Sequence, residues 1–161
     1  MSIALRPAES GDQNLIRSLF NLYQNDLSEY CGDFTSLDEN GYFDPNASKD
    51  VLPFGNGVYP YIIAEDGRNL GLVIVTDSSC APAAADWYVA ELYLIRAARG
   101  RGIAGSVMRT VFEQRKGIWS LLVYQKNAPA RAFWDRIIAE CGEKLSETPT
   151  EDGMNLILFH I

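Results

Sequence analysis

The chain of 161 residues predicts an α/β (α+β) domain on a single mixed, mostly antiparallel sheet of six to seven strands. A parallel β-α-β unit spans 87–125, and helices cover both faces of the sheet. Three observations predict this. Apolar residues switch between a period near two and a period near 3.6 along the chain, so strands and helices interleave. The stretch "YPYIIAEDGRNLGLVIVTD" (59–77) breaks once, at Asp66-Gly67, as an antiparallel hairpin does. The stretch from Trp87 to Gln125 reads strand, helix, strand, and such a crossover joins parallel strands.

In order, "IALRP" (3–7) is a short first strand. "SGDQNLIRSLFNLYQNDLSEY" (10–30) follows as a helix behind an Asp/Ser-type cap, with Leu15, Leu19 and Leu22 at helical spacing. Residues 31–58 keep no period and are rich in Gly, Asp, Asn and Pro, with Phe34, Tyr42, Phe43 and Phe54 interleaved. They predict a short helix plus a long loop of the kind that carries function. After the hairpin, "WYVAELYLI" (87–95) and "IWSLLVYQ" (118–125) are strands, the second apolar enough to be central. Between them Ile103, Ala104, Val107, Met108, Val111 and Phe112 form one stripe on a helix over 102–116, stopped by Gly117. A helix from Asn127 turns Ala130, Phe133, Trp134 and Ile137 inward, and "MNLILFHI" (154–161) is the last strand. With no repeat, linker or low-complexity segment, residues 1–161 read as one domain.

Composition removes several function classes. Hydrophobic content of 47% and charged content of 22% are those of a soluble globule. No apolar run is long enough to span a membrane, and the start shows no secretory pattern. Cys31, Cys80 and Cys141 are odd in number and widely spaced, forming neither a disulfide framework nor a metal-ligand set. His160 is the one histidine, which argues against a zinc site or a Ser-His triad. The expectation is a cytoplasmic, metal-free protein. A net charge of −7 argues against nucleic acid as a partner. The charge is also uneven. Residues 1–90 carry 4 Lys and Arg against 13 Asp and Glu, whereas 91–136 carry 9 against 3. The basic block suits an anionic ligand and the acidic part a cationic one.

The basic block holds "ARGRGIAGSV" (98–107), where Gly100, Gly102 and Gly105 spell G-x-G-x-x-G. That spacing is also the fingerprint of dinucleotide sites, but its neighbours reject that reading. Only 56 residues follow Gly105, too few for the further β-α units of that fold. The acidic residue expected about 20 positions on is replaced by Tyr124-Gln125, and no Gly-Lys-Ser/Thr is present. What stands is general. Two helices, opening at 102 and at Asn127, start from the carboxyl ends of neighbouring strands, so their free N–H groups converge as an anion site. Gly100 and Gly102 let phosphate oxygens reach the backbone.

At these residues the chain resembles the GCN5-related N-acetyltransferases (GNAT). The family's Arg/Gln-x-x-Gly-x-Gly/Ala signature is matched by Arg99-Gly100-Arg101-Gly102-Ile103-Ala104, directly after a strand. Its Asn-x-x-Ala-x-x-aromatic-aromatic pattern is matched by Asn127, Ala130, Phe133 and Trp134. The opening "IALRPAESGD" is similar to the family's first strand and helix start. The resemblance covers most of the chain, with 31–58 and the region after Cys141 atypical. It implies a GNAT-like fold and acetyl-CoA as co-substrate, with no metal. The pyrophosphate would lie on the amides of 100–105 and Ser106, near Arg99 and Arg101. The pantetheine arm would pair with the backbone of Leu92, Tyr93 and Leu94, flanked by Asn127, Ala130, Phe133 and Trp134. The acceptor implied is a small-molecule or peptide amine, and the family also points to a homodimer.

Direct attack of an amine on a thioester needs a base, an oxyanion donor and a proton for the departing thiolate. Glu91, the one carboxylate in its strand, stands where relatives often place an acid for base work; pairing with an arginine is the structural alternative. Trp134 departs from the family, which often carries a Tyr there to protonate the thiolate. An indole N–H donates a hydrogen bond but not its proton. Tyr124, ending the strand before Asn127, is the candidate acid, ahead of Tyr93. The alternative reading that Trp134 favours is a non-catalytic acyl-CoA-binding module. Acidic and aromatic residues in 31–58 hint at a cationic, aromatic amine or a peptide N-terminus as acceptor.

Overall fold

The computed structural model describes residues 2–161. Seven strands form one sheet: β1 (Ile3–Pro7), β2 (Val58–Glu65), β3 (Arg68–Asp77), β4 (Trp87–Leu94), β5 (Ile118–Tyr124), β6 (Glu143–Pro149) and β7 (Met154–His160). Their order is β1-β2-β3-β4-β5-β7-β6, and every neighbouring pair is antiparallel except β4–β5. The helices are α1 (Gln13–Leu27), α2 (Ile103–Gln114) and α3 (Ala128–Cys141). The β2–β3 turn falls at Asp66 (φ 48°) and Gly67 (φ 78°), two left-handed residues whose twist matches that of the strands they join.

The two faces of the sheet bury separate cores. On one, Ile16, Leu19 and Phe20 of α1 pack on Ile62, Leu72, Ile74 and Tyr93. On the other, the stripe of Ile103, Val107, Met108, Val111 and Phe112 packs with Ile137 and Ile138 against Val73, Trp119, Leu121 and Phe159. The α1-side core contains no residue of β5, β6 or β7. On that side the sheet is left to loops and to the cleft described below.

Three details differ from the sequence reading. Leu22 is 48% exposed, and the inner face of α1 is set by Ile16, Leu19 and Phe20 instead. Residues 31–57 contain no helix; turns carry the chain, held to α1 by side chains. Asn21 donates from Nδ2 to the Gly41 carbonyl (2.9 Å) and accepts from the Phe43 amide (3.0 Å). The Gln13 amide donates to the Ser48 carbonyl (3.1 Å). The third difference is β6, "EKLSETP", an edge strand exposed along nearly its whole length. It shows no apolar alternation because neither face is buried. Pairing with β7 holds it, together with the Glu147 carboxylate bound by Arg131 and Lys144.

Candidate active site

β4 and β5 pair only over Trp87–Val89 and Trp119–Leu121. Past Val89 they separate. The register of β4 on β3 slips at this point: Val75 opposes Val89 and Ile74 opposes Glu91, so Ala90 is the extra residue of a bulge. From Ala90 to Leu94 the edge of β4 that faces β5 has no partner strand, and a cleft of about 750 Å³ opens there. It runs between the faces of the sheet and has two ends.

One end lies on the α2–α3 side. Gly100 (φ 73°) and Gly102 (φ 77°) adopt the left-handed conformation, and a Cβ at either would meet nothing within 4 Å. Glycine is required here by backbone angle, while the space above is open for a ligand. Gly102 caps α2 with no side-chain hydrogen bond, so the first amides of that helix are uncapped. α3 differs: the Asn127 Oδ1 accepts from the Ala130 amide (3.1 Å), and Asn127 lines the cleft. Leu92, Leu94, Ile103, Ala104, Gly105, Ala130 and Phe133 line this end, and Trp134 closes its floor, 7% exposed and edge-on to Phe133 at 4.9 Å. The Trp134 indole N–H donates to no group among the described residues.

The arginines expected here are engaged elsewhere. Arg99 lines the cleft, but its Nε donates to the Leu94 carbonyl (2.8 Å) and its guanidinium binds Asp26 and lies 5.4 Å over the Tyr93 ring. Arg96 binds the same Asp26 at 2.7 Å. Burial alone would raise the Asp26 carboxyl; the hydrogen bonds from Arg99 and Arg96 outweigh it and hold it low. Arg101 pairs with Glu65 (2.6 Å) and, with the exposed Ser106, lies outside the cleft wall.

The other end lies on the α1 side. Bulging at Ala90 puts both Ala90 and Glu91 on this face, opposite Ile74 of the α1-side core. Val123 packs into the opposite core, which turns Leu122 and Tyr124 of β5 to this side as well. Glu91 and Tyr124 therefore share one end, joined by Tyr23 from α1, Tyr88 from β4, and Tyr30 and Phe34 from the segment after α1. Glu91 accepts no hydrogen bond and pairs with no cation among the described residues, so the arginine-paired alternative does not hold. Burial pushes its carboxyl up to about 8. Burial, with Cys31, Asp33 and Asp152 close by, pushes the Tyr124 hydroxyl to about 12. Burial and the charge of Glu91 push Tyr88 to about 12, and burial, with Glu91 and the neighbouring tyrosines, raises Tyr23 well above its usual value. Sequence reasoning missed Tyr23, Tyr30 and Tyr88, because a tyrosine on an ordinary helix or strand carries no local mark of what it will face.

A family model described as "Acetyltransferase (GNAT) family" matches residues 17–138. The chain belongs to the GNAT acetyltransferase family. Its members transfer an acetyl group from an acyl-CoA, in general to an amine. No curated protein matches by sequence. Solved structures with the same fold include an acetyltransferase from Thermus thermophilus (16% identity, 100% of this chain and 98% of that one, TM-score 0.70). Another is an acetyltransferase from Corynebacterium glutamicum (15%, 99% and 96%, TM-score 0.70). A third is a diaminobutyrate acetyltransferase from Paenibacillus lautus, bound to L-2,4-diaminobutyric acid and coenzyme A (14%, 99% and 95%, TM-score 0.67). The GNAT fold accounts for the mixed sheet, its parallel pair and the helix placement. The described residues hold no group of three or more His, Cys, Asp or Glu that could bind a metal.

Proposed function

We propose that this GNAT protein moves the acetyl group of acetyl-CoA to a primary amine by direct attack, with Glu91 as base and Tyr124 as acid. The observation that carries it is Glu91, an unpartnered carboxylate at the point where β4 leaves β5. The open glycine turn and uncapped start of α2 fit a pyrophosphate, and the free edge of β4 fits an extended amide chain. Acetyl-CoA supplies the activated acyl carbon; the protein does the rest.

An unprotonated amine approaches the thioester carbonyl from the α1 side. As its nitrogen bonds to carbon, Glu91 accepts an N–H proton, directly or through water. The carbon–sulfur bond then breaks, and Tyr124 donates its hydrogen to the departing sulfur. A hydroxyl held near 12 stays protonated at every working pH, as a donor must. The products are an amide and free coenzyme A thiol. Binding without turnover is the second reading, and Trp134, which can donate a hydrogen bond but no proton, favours it.

Thiol release over a panel of amines separates the two. Glu91 held near 8 is mostly protonated at pH 7, and its basic form grows as pH rises. The kcat/KM for the amine should therefore climb through about 8, with the amine's own ionisation adding a second limb at higher pH. Glu91→Gln should lose about 10²-fold or more in kcat and remove only the limb near 8. A Glu91→Gln enzyme that keeps that limb, or a wild type that binds acetyl-CoA and acetylates no amine, would overturn the assignment.

A further inference from the structure

We infer that the α1-side end of the cleft is built for an arylalkylamine without a carboxylate: one primary amine, a short chain and a flat apolar ring. The inference rests on the acetyl-transfer reading above and names its acceptor. The rings of Tyr23, Tyr30, Phe34, Tyr88 and Tyr124 line the cleft together with Glu91 and Leu122. They come from α1, the segment after it, β4 and β5, so the acceptor is enclosed by aromatic surface from separate parts of the chain. A ring bound there gains stacking or edge contacts in addition to burial.

This wall is fixed in advance. Phe34 lies edge-on to Phe43 at 6.1 Å. The Phe43 amide is held by Asn21 Oδ1 at 3.0 Å, and Asn21 also grips the Gly41 carbonyl. Tyr42, between them, lies under the Arg17 guanidinium at 5.8 Å. The loop that brings Phe34 is thus anchored to α1 at three consecutive residues, and little ordering remains for the acceptor to induce.

Charge narrows the class. The charged residues lining the cleft are Asp26, Glu29, Glu91, Arg96 and Arg99. Both arginines are bound to Asp26, a group with one net positive charge, while Glu91 deep in the site and Glu29 at its rim have no cation paired to them among the described residues. One ammonium is attracted by Glu29 at the rim, and by Glu91 in its ionised form, and gives up its proton before the amine attacks. A carboxylate on the same acceptor finds only the two arginines already bound to Asp26, is repelled by Glu29 at the rim and by Glu91 once that is ionised, and gives up part of its hydration. A second ammonium gains ring contacts but finds no second carboxylate inside. The expected order is arylalkylamine, alkylamine, diamine, amino acid.

The test uses four probes: phenethylamine, n-pentylamine, cadaverine and phenylalanine. For each, kcat/KM is measured by thiol release with acetyl-CoA. Binding of the same probes to protein saturated with coenzyme A is measured by calorimetry. Phenethylamine should exceed n-pentylamine by about 3- to 10-fold. It should exceed phenylalanine by about 30-fold or more. Tyr30→Ala and Phe34→Ala should bring phenethylamine and n-pentylamine toward parity. Asn21→Ala, acting through the loop, should raise KM for phenethylamine at unchanged kcat, with the melting temperature confirming a folded protein. Binding in this order without acetylation would uphold the inference and sink the transfer reading. Acetylation with phenylalanine or cadaverine at or above phenethylamine would do the reverse. Failure of phenethylamine to bind at all would overturn the inference.

Discussion

At the α2–α3 end of the cleft the recognition surface is main chain; at the α1 end it is side chain. The first end offers the amides after Gly102, the open space over Gly100 and Gly102, and the unpaired edge of β4. The second offers Glu91 and a set of rings. A main-chain surface can recognise what every member of a family shares, under the proposed function a diphosphate and an amide arm, and any residue that keeps the backbone angle leaves it intact. A side-chain surface can change one residue at a time. The split suits an enzyme with a constant donor and a varied acceptor. It also predicts that substitutions at one end leave the other undisturbed.

The largest expected effect tests that independence. In Gly102→Asp the new side chain enters open space, so the protein folds, with about 1 kcal/mol of cost for a left-handed non-glycine residue. The added carboxylate stands where phosphate must approach and repels it. Coenzyme A should raise the melting temperature of the wild type by binding the folded state alone, and should not do so in Gly102→Asp. Affinity should fall by about 100-fold or more. Phe34→Ala, at the other end, should leave that shift unchanged. Loss of the coenzyme A shift in Phe34→Ala would break the comparison, since the two ends would then be one cooperative unit.

The same contrast explains what was legible in the sequence. Glycines at 100 and 102 and the cap at Asn127 are written locally, because a left-handed turn and a helix start each demand particular residues at particular positions. Their place at the end of β4 followed from strand-helix-strand order. Glu91 was legible as a lone carboxylate in an apolar strand. The bulge at Ala90, which decides the face that Glu91 takes, left no mark in "WYVAELYLI". Tyr23, Tyr30 and Tyr88 reach the site only through tertiary packing, so nothing near them in sequence shows it. Strand β6 was missed for another reason: an exposed edge needs no apolar alternation. Residues 31–57 looked irregular and are irregular; what could not be read is that Asn21, a polar residue on an outward turn of α1, fastens them.

A smaller effect sharpens the acceptor end. Tyr124→Phe removes one hydroxyl and keeps the ring in place. Turnover should fall by at least about tenfold if chemistry limits it, with acetyl-CoA affinity nearly intact. Trp134→Tyr added to Tyr124→Phe returns a phenol to the cleft wall from the α3 side, and part of the loss should be recovered. Trp134 is 7% exposed, so the smaller ring leaves a void and the double variant should melt below the wild type while regaining rate. Full turnover in Tyr124→Phe would make that tyrosine a wall residue and leave the thiolate to depart unaided.

The smallest effect separates two arginines that the sequence presents as equals. Arg99 is a strap: it ties the end of β4 to α1 through the Leu94 carbonyl, Asp26 and the Tyr93 ring. Arg99→Ala leaves a carboxylate, 15% exposed, to Arg96 alone and unties the Leu94 carbonyl, and should cost about 1–2 kcal/mol of stability. That loss would appear as a lower melting temperature whether or not cofactor is present. Arg101 is 39% exposed and paired with Glu65, an arrangement in which an ion pair contributes about 0–1 kcal/mol. Arg101→Ala should therefore melt close to the wild type. It stands beside the glycine turn, so its charge acts on the cofactor at a distance and through salt. Coenzyme A binding should weaken by about 2- to 3-fold at low ionic strength and by less at high, since screening removes what the charge supplied. Pantetheine, which lacks the nucleotide phosphates, should bind both proteins alike. Equal weakening of pantetheine and coenzyme A in Arg101→Ala would mean that this arginine shapes the turn, and that the α2–α3 end depends on side chains after all.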